Sequence, residues 1–212
     1  MNETMLTRDK MGGAALIFAA AGTVLAMAHH PSGAHGGGIG GMVHAAMIVL
    51  LGILTFGFAR FAQGRGLERP LVLAAIIAFA TSFFAHVGAA TINGFVVPAI
   101  ADRSQPVSHD IFVLAWEANQ ALARLGLVAT GIAYVAWGVD LLRHRPTRLL
   151  GLLGILAGFL PAGLLIAGAI QMNVTGASIA YATHAAWAVI LGLAMLGDVT
   201  GRANSVPSLE QD

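Results

Sequence analysis

MVHAAMIVLLGILTFGFARF, residues 42–61, holds a single histidine and a single arginine in an otherwise apolar run. As a helix rising 1.5 Å per residue it is about 30 Å long, the thickness of a bilayer's hydrocarbon core. It lacks the alternation of polar and apolar residues that marks an outer-membrane barrel strand. In lipid the backbone must satisfy its own hydrogen bonds, so a stretch of this kind is read as a spanning helix.

The same reading extends to five more stretches: residues 11–28, 71–91, 119–142, 149–172 and 178–199. Over the whole chain of 212 residues, 57% are hydrophobic and 10% charged. A soluble domain carries about 25% charged residues. This composition excludes a soluble globular fold, a disordered chain and a nucleic-acid binder. The 27 glycines follow no period of three, so a collagen-like fibre is excluded as well. With no cysteine present, disulfides, thiolate metal sites and cysteine nucleophiles are ruled out. The expected fold is an all-α integral membrane protein, a bundle of six transmembrane helices with short loops, whose Gly and Ala content suits close helix packing. The expected domain plan is a short N-terminus (1–10), a transmembrane domain (11–200) and a disordered polar tail (201–212).

Orientation follows from the cations. Arg8 and Lys10 precede the first span, and Arg60, Arg65 and Arg69 lie between the second and third. Arg143, Arg145 and Arg148 lie between the fourth and fifth, and Arg202 follows the sixth, whereas the opposite loops hold only Arg103. The positive-inside rule then puts both termini in the cytoplasm of a bacterial inner membrane. The short connections suggest three antiparallel hairpins. Residues 29–41 (HHPSGAHGGGIGG) read as a flexible loop, and 93–108, with two prolines, as an extended or re-entrant segment. Ser108 or Asp110 is expected to cap a helix that runs on to Leu142, about 50 Å and longer than the membrane core. Pro161 is expected to kink the fifth span. A competing account treats residues 1–28, ending in Ala26-Met27-Ala28, as a signal peptide cleaved before His29.

The polar exceptions carry the functional signal. Of eight histidines only His144 falls on the cytoplasmic side; His29, His30, His35, His44, His86, His109 and His184 fall on the outer side. Counted from the cytoplasmic ends of their helices, His44, His86 and Arg124 lie roughly 24 Å up and His184 roughly 21 Å. Four ionisable groups on four helices thus share one layer, where such groups are costly and usually face a cavity. Each also has a local account. Ser82 stands one turn before His86 and Tyr181 one turn before His184, where each can satisfy its histidine, and Arg124 can snorkel to phosphates.

The candidate metal ligands are His44, His86 and His184, with His29, His30 and His35 in the adjoining loop. Met27, Met42 and Met47 lie in the same stretch, and thioether with imidazole suits copper, above all Cu(I). Arg124, with Glu117 seven residues earlier on the same helix face, is the candidate for holding a cofactor's anionic group, such as a haem propionate. The five tryptophans and tyrosines read as an interfacial aromatic belt without chemistry. No GxxxxGK[ST] loop, HExxH or HxxxH run occurs. The leading expectation is a redox or metal-handling protein that binds haem b or copper at its periplasmic side. A metal-ion or small-solute transporter, a membrane enzyme acting on a lipid or quinone, and a non-catalytic accessory subunit of a membrane complex remain open. The bilayer and other membrane subunits are the partners in view.

Overall fold

The structure, a computed structural model, describes residues 3–30 and 39–199, so the expected disordered tail and His35 lie outside the described residues. Helices follow in the order α1 (Glu3–Ala28), α2 (Ile39–Arg65), α3 (Pro70–Thr91), a π-helical turn (Ile92–Val96), α4 (Val97–Ala101), α5 (His109–Leu142), a 3₁₀ turn (Arg145–Thr147), α6 (Arg148–Ile166) and α7 (Val174–Leu196). The described residues contain no strand, and six helical spans are long and apolar enough to cross a membrane. Large apolar side chains face outward, among them Phe84, Phe159 and Ile166, each at least 70% exposed. This is the surface of a lipid-embedded protein rather than of a soluble one.

The segment expected to be extended after Asn93 is helical instead. α3, the π turn and α4 form one span, Pro70–Ala101. Pro98 brings no N–H to this helix, and the wider turn just before it, in which the Val97 N–H reaches back to the Ile92 carbonyl, takes up the broken ladder. α5 begins as its sequence suggests, with the Ser108 hydroxyl accepting the Asp110 N–H at 3.3 Å. Pro161 is buried inside α6.

The six spans close into a ring in the order α1, α2, α3, α5, α6, α7. Within it α5 packs closely along α3 and α6, and α1 along α2 and α7. The α2/α3 and α6/α7 seams are thin, so the molecule consists of two helix triplets, α7-α1-α2 and α3-α5-α6. The expected α6–α7 hairpin is therefore the loosest of the three, because both helices have closer partners. The reason is glycine placement. An added Cβ on Gly158 would stand 2.5 Å from the Gly131 carbonyl oxygen, and one on Gly138 2.6 Å from that of Gly151. Gly13 and Gly192 meet in the same way between α1 and α7, at 2.6 and 2.7 Å. Only bare backbones approach so closely.

Between the triplets lies an aromatic core. Phe58 stacks on Trp137 with ring centres 4.7 Å apart, and Tyr134 and Trp187 approach to 4.4 Å. Trp137, Trp187 and Tyr134 are buried in this core rather than set in an interfacial belt; Trp116, 52% exposed, alone of the three tryptophans faces outward. The Trp187 indole donates to the Leu150 carbonyl at 3.0 Å and so bridges the thin α6/α7 seam.

The other seam is fastened at the end of the bundle that carries Arg60, Arg65, Arg69, Arg143, Arg145 and Arg148. Asp140 of α5 is fully buried and takes Arg65 Nε on Oδ2 at 2.8 Å and the Arg69 guanidinium on Oδ1 at 2.7 Å. One carboxylate thereby holds the α2–α3 connection to the opposite triplet. His144 lies close by, where burial first, and then the cations of Arg65 and Arg69, hold its imidazole below the ordinary histidine value.

Two predictions follow from this packing. Gly158→Ala should destabilise the detergent-solubilised protein by about 1–3 kcal/mol. Gly52→Ala, where an added Cβ meets nothing within 4 Å, should be neutral or stabilising. Thermal unfolding of the two variants measures the contrast. Asp140→Asn should cost about 3–5 kcal/mol, because it removes the buried carboxylate that Arg65 and Arg69 share. An unfolding midpoint equal to that of the parent protein would show that the clamp carries no weight.

Candidate functional site

At the end of the bundle opposite the arginines, a cavity of about 630 Å³ opens between the triplets. Every span except α6 contributes to its wall. The lining is mostly apolar, with Leu51, Leu54 and Phe79 among its members, and among the described residues it includes no Asp or Glu. His30, His44, His86 and His184 all line it, as do Met27, Met47 and Met172.

The histidines fall into two kinds. At the rim, His30 Nε2 lies 3.3 Å from His44 Nε2. His44 Nδ1 lies 2.7 Å from the Gly40 carbonyl, which can only accept, so Nδ1 carries the proton and Nε2 the lone pair. The His30 Nε2–H then donates to His44 Nε2. Gly94 of the π turn backs the His44 ring; an added Cβ there would stand 2.5 Å from His44 Cβ. His30 follows Met27 by three residues in a chain that still turns helically, with the His30 N–H on the Met27 carbonyl at 3.1 Å. Met47 follows His44 by three residues on α2. Residues three apart on a helix share a face. The order Met-x-x-His at the end of α1 and just beyond it, with His-x-x-Met on α2, places two thioethers and two imidazoles along the same cavity wall.

Deeper in, His86 is oriented by a relay of hydroxyls. Its Nδ1 is 3.1 Å from Ser82 Oγ, Ser82 Oγ is 2.5 Å from Thr130 Oγ1, and the Thr130 hydroxyl donates to the Gly126 carbonyl at 3.0 Å. That carbonyl has no proton to give, so the direction of the whole chain is set. Thr130 donates to Gly126, Ser82 to Thr130, and His86 Nδ1–H to Ser82. The His86 Nε2 lone pair is left buried with no protein partner. The ring rests on Gly126, whose added Cβ would stand 2.7 Å from Nε2. His184, 6% exposed, likewise has a buried Nε2 without a partner. The Tyr134 hydroxyl reaches the His184 carbonyl at 3.4 Å, and the two rings are 5.0 Å apart.

Asn119 and Gln120, which sequence reasoning passed over, are buried at the cavity wall. Asn119 donates to the Ala89 carbonyl at 2.8 Å and Gln120 to the Met172 carbonyl at 3.1 Å, so both join α5 to its neighbours. Their signal in the sequence was two adjacent amides in an apolar span.

The other candidates lie elsewhere. Arg124 and Glu117 are exposed on the outer face of α5, and neither lines the cavity. Arg124 precedes Leu125, 49% exposed, on that face, while Ala123 and Gly126 take the inward positions. His29 is exposed, with Nδ1 2.9 Å from the Leu25 carbonyl, and is not part of the wall. Among the described residues no group of three or more His, Asp or Glu side chains is gathered to hold a metal ion. Comparison with known protein families, with curated proteins and with solved structures returns no match.

Proposed function

We propose that the protein is a metal-handling protein of a bacterial inner membrane that binds Cu(I) at the cavity rim through His30, His44, Met27 and Met47. The 3.3 Å separation of the two Nε2 atoms carries this reading. Two imidazole nitrogens on one tetrahedral ion, each about 2.0 Å from the metal, stand about 3.3 Å apart. Two on opposite sides of a haem iron would stand about 4 Å apart with a macrocycle between them, which a direct nitrogen–nitrogen contact does not accommodate. Arg124, the side chain intended for a haem propionate, also lies off the cavity. The hydrogen bond from His44 to Gly40 is the second-sphere contact that presents Nε2 as a ligand. Thioethers on the same faces favour Cu(I) over zinc.

Both termini lie in the cytoplasm in this proposal, and the rim opens to the periplasm. The support is the gathering of Arg60, Arg65, Arg69, Arg143, Arg145 and Arg148 between spans at the opposite end.

The chain has no cysteine of its own, which makes the orientation directly testable. Ser108→Cys, exposed at the histidine end, should react with an impermeant maleimide in intact cells. Glu68→Cys, exposed at the arginine end, should react only after permeabilisation. The reverse pattern would invert the topology.

For the metal, anaerobic titration against a Cu(I) chelator should give one ion per chain, with nitrogen and sulfur scatterers in X-ray absorption. His44→Ala should lower the affinity at least tenfold, whereas Met42→Ala, 72% exposed, should leave it unchanged. Copper binding indifferent to His44→Ala would overturn the assignment. So would a haem spectrum without bound copper after expression with both supplied.

A further inference from the structure

We infer that the turn between α5 and α6, together with the first half of α6, is a binding site for an anionic phospholipid, which seats its phosphate among Arg143, Arg145 and Arg148 and lays an acyl chain along α6. Charge at this end of the bundle is unevenly answered. Arg60 faces Asp9 at 4.0 Å and donates to the Gln63 side-chain oxygen. Arg65 and Arg69 share the Asp140 carboxylate. Arg143, Arg145 and Arg148 are exposed, and among the described residues none of their side chains has an ion pair or a hydrogen bond. Asp140, the acid nearest to them in sequence, has both oxygens taken by the other two guanidinium groups. Three like charges within six residues therefore lack a counter-charge, and a surplus of this kind beside a membrane attracts anionic headgroups.

The turn that carries them is held firm. Thr147 is 2% exposed, its hydroxyl donates to the Leu141 carbonyl at 2.7 Å, and its N–H donates to the His144 carbonyl at 3.1 Å. Pro146 restricts φ in the same segment. The three side chains thus stem from backbone that needs no ordering when a ligand arrives. A guanidinium fork also matches two phosphate oxygens at once, which an ammonium does not.

The residues that follow point to a lipid rather than a free anion. Leu149, Leu152, Leu156 and Phe159 are each at least 51% exposed. They recur at steps of three and four residues, so they form one stripe on α6. The stripe begins beside Arg148 and runs for about 15 Å, half the thickness of the hydrocarbon core. That is the depth which the acyl chains of one leaflet fill. The other side of α6 is closed against α5 by the Gly131–Gly158 and Gly138–Gly151 contacts, so the stripe is left to lipid.

The test titrates the metal-free, detergent-solubilised protein with phosphatidylglycerol and with phosphatidylcholine of the same acyl chains, and counts bound lipid by native mass spectrometry. Phosphatidylglycerol is expected to bind at least tenfold more tightly. Arg143→Gln, Arg145→Gln and Arg148→Gln combined should abolish that preference, and Arg148→Gln alone should cut it at least threefold. Lys10→Gln removes an exposed cation from the same end of the bundle and should leave the preference intact.

Equal affinity for the two lipids, a preference that survives the triple change, or an equal loss in Lys10→Gln would overturn the inference. Glycerol phosphate competing as well as phosphatidylglycerol would reveal a free-anion site and overturn the lipid assignment. The single Arg148→Gln variant keeps the test decisive if the triple variant does not fold: an unchanged preference there overturns the site as well. No metal is present at any step, so this site and the rim copper site stand or fall separately.

Discussion

Helices in lipid gain nothing from hiding apolar surface from each other, because the surrounding chains are as apolar as leucine. Association must come from closeness. In this chain closeness is decided by Gly131, Gly138, Gly151 and Gly158 between α5 and α6, and by Gly13 and Gly192 between α1 and α7. At these points the carbonyl of one helix rests on the bare Cα of the next. The rest of the architecture depends on that distribution. Each triplet is cohesive, and the glycine contact across a seam among the described residues, an added Cβ on Gly41 against the Gly94 carbonyl at 3.3 Å, is looser. A bundle packed equally tightly at every interface would have no room for a cavity at its centre. Polar contacts instead join the triplets, among them the Asp140 clamp at one end, the Trp187–Leu150 hydrogen bond and the Tyr134 hydroxyl on the His184 carbonyl. In a low-dielectric surrounding those contacts are directional where van der Waals contact is not.

The same economy of polar groups explains why the histidines differ. Within the cavity wall most polar side chains are committed to a backbone carbonyl or to each other. Asn119, Gln120, Ser82 and Thr130 are spent in this way. Gly40 fixes His44, and Gly126, through two hydroxyls, fixes His86. Both imidazoles are held with Nδ1 protonated, but only the rim nitrogen has a partner, the imidazole of His30. The rim arrangement suits an ion that replaces a shared hydrogen bond; the deeper one holds its ring tip against Gly126, away from any partner.

Much of the fold was legible because it follows from one-dimensional facts. Run length and composition gave six spans and their kind, and Ser108-x-Asp110 gave the start of α5. The common depth of His44, His86 and His184 follows from counting residues, and counting cannot say which way a residue faces. Arg124 shares that depth, yet it points outward because Ala123 and Gly126 occupy the inward positions on α5. Trp137 and Trp187 read as belt residues near span ends, but helix rotation buries them against Phe58. The pairing of Asp140 with Arg65 and Arg69 joins residues some 70 apart, and nothing local marks it. The helical course of residues 93–101 was obscured by Pro98, whose effect a π turn absorbs. In each miss the deciding quantity is the azimuth of a helix or a long-range contact.

The placement of the two kinds of histidine across the triplets has a mechanical consequence. His30 lies just beyond α1 and His44 on α2, within one triplet, so an ion held between them ties helices that are already tied. His184 belongs to that triplet too, on α7, but His86 sits on α3 in the other. The cavity wall draws on both triplets, so a molecule that filled it would touch both sides of the gap that the glycine pairs leave open. Its binding energy would add to the cohesion of the two seams, whereas an ion at the rim would not. The relay through Thr130 runs from α5 to α3 within one triplet and holds the His86 ring against Gly126, so it steadies the wall from one side only. The cavity thus coincides with the weakest packing in the bundle.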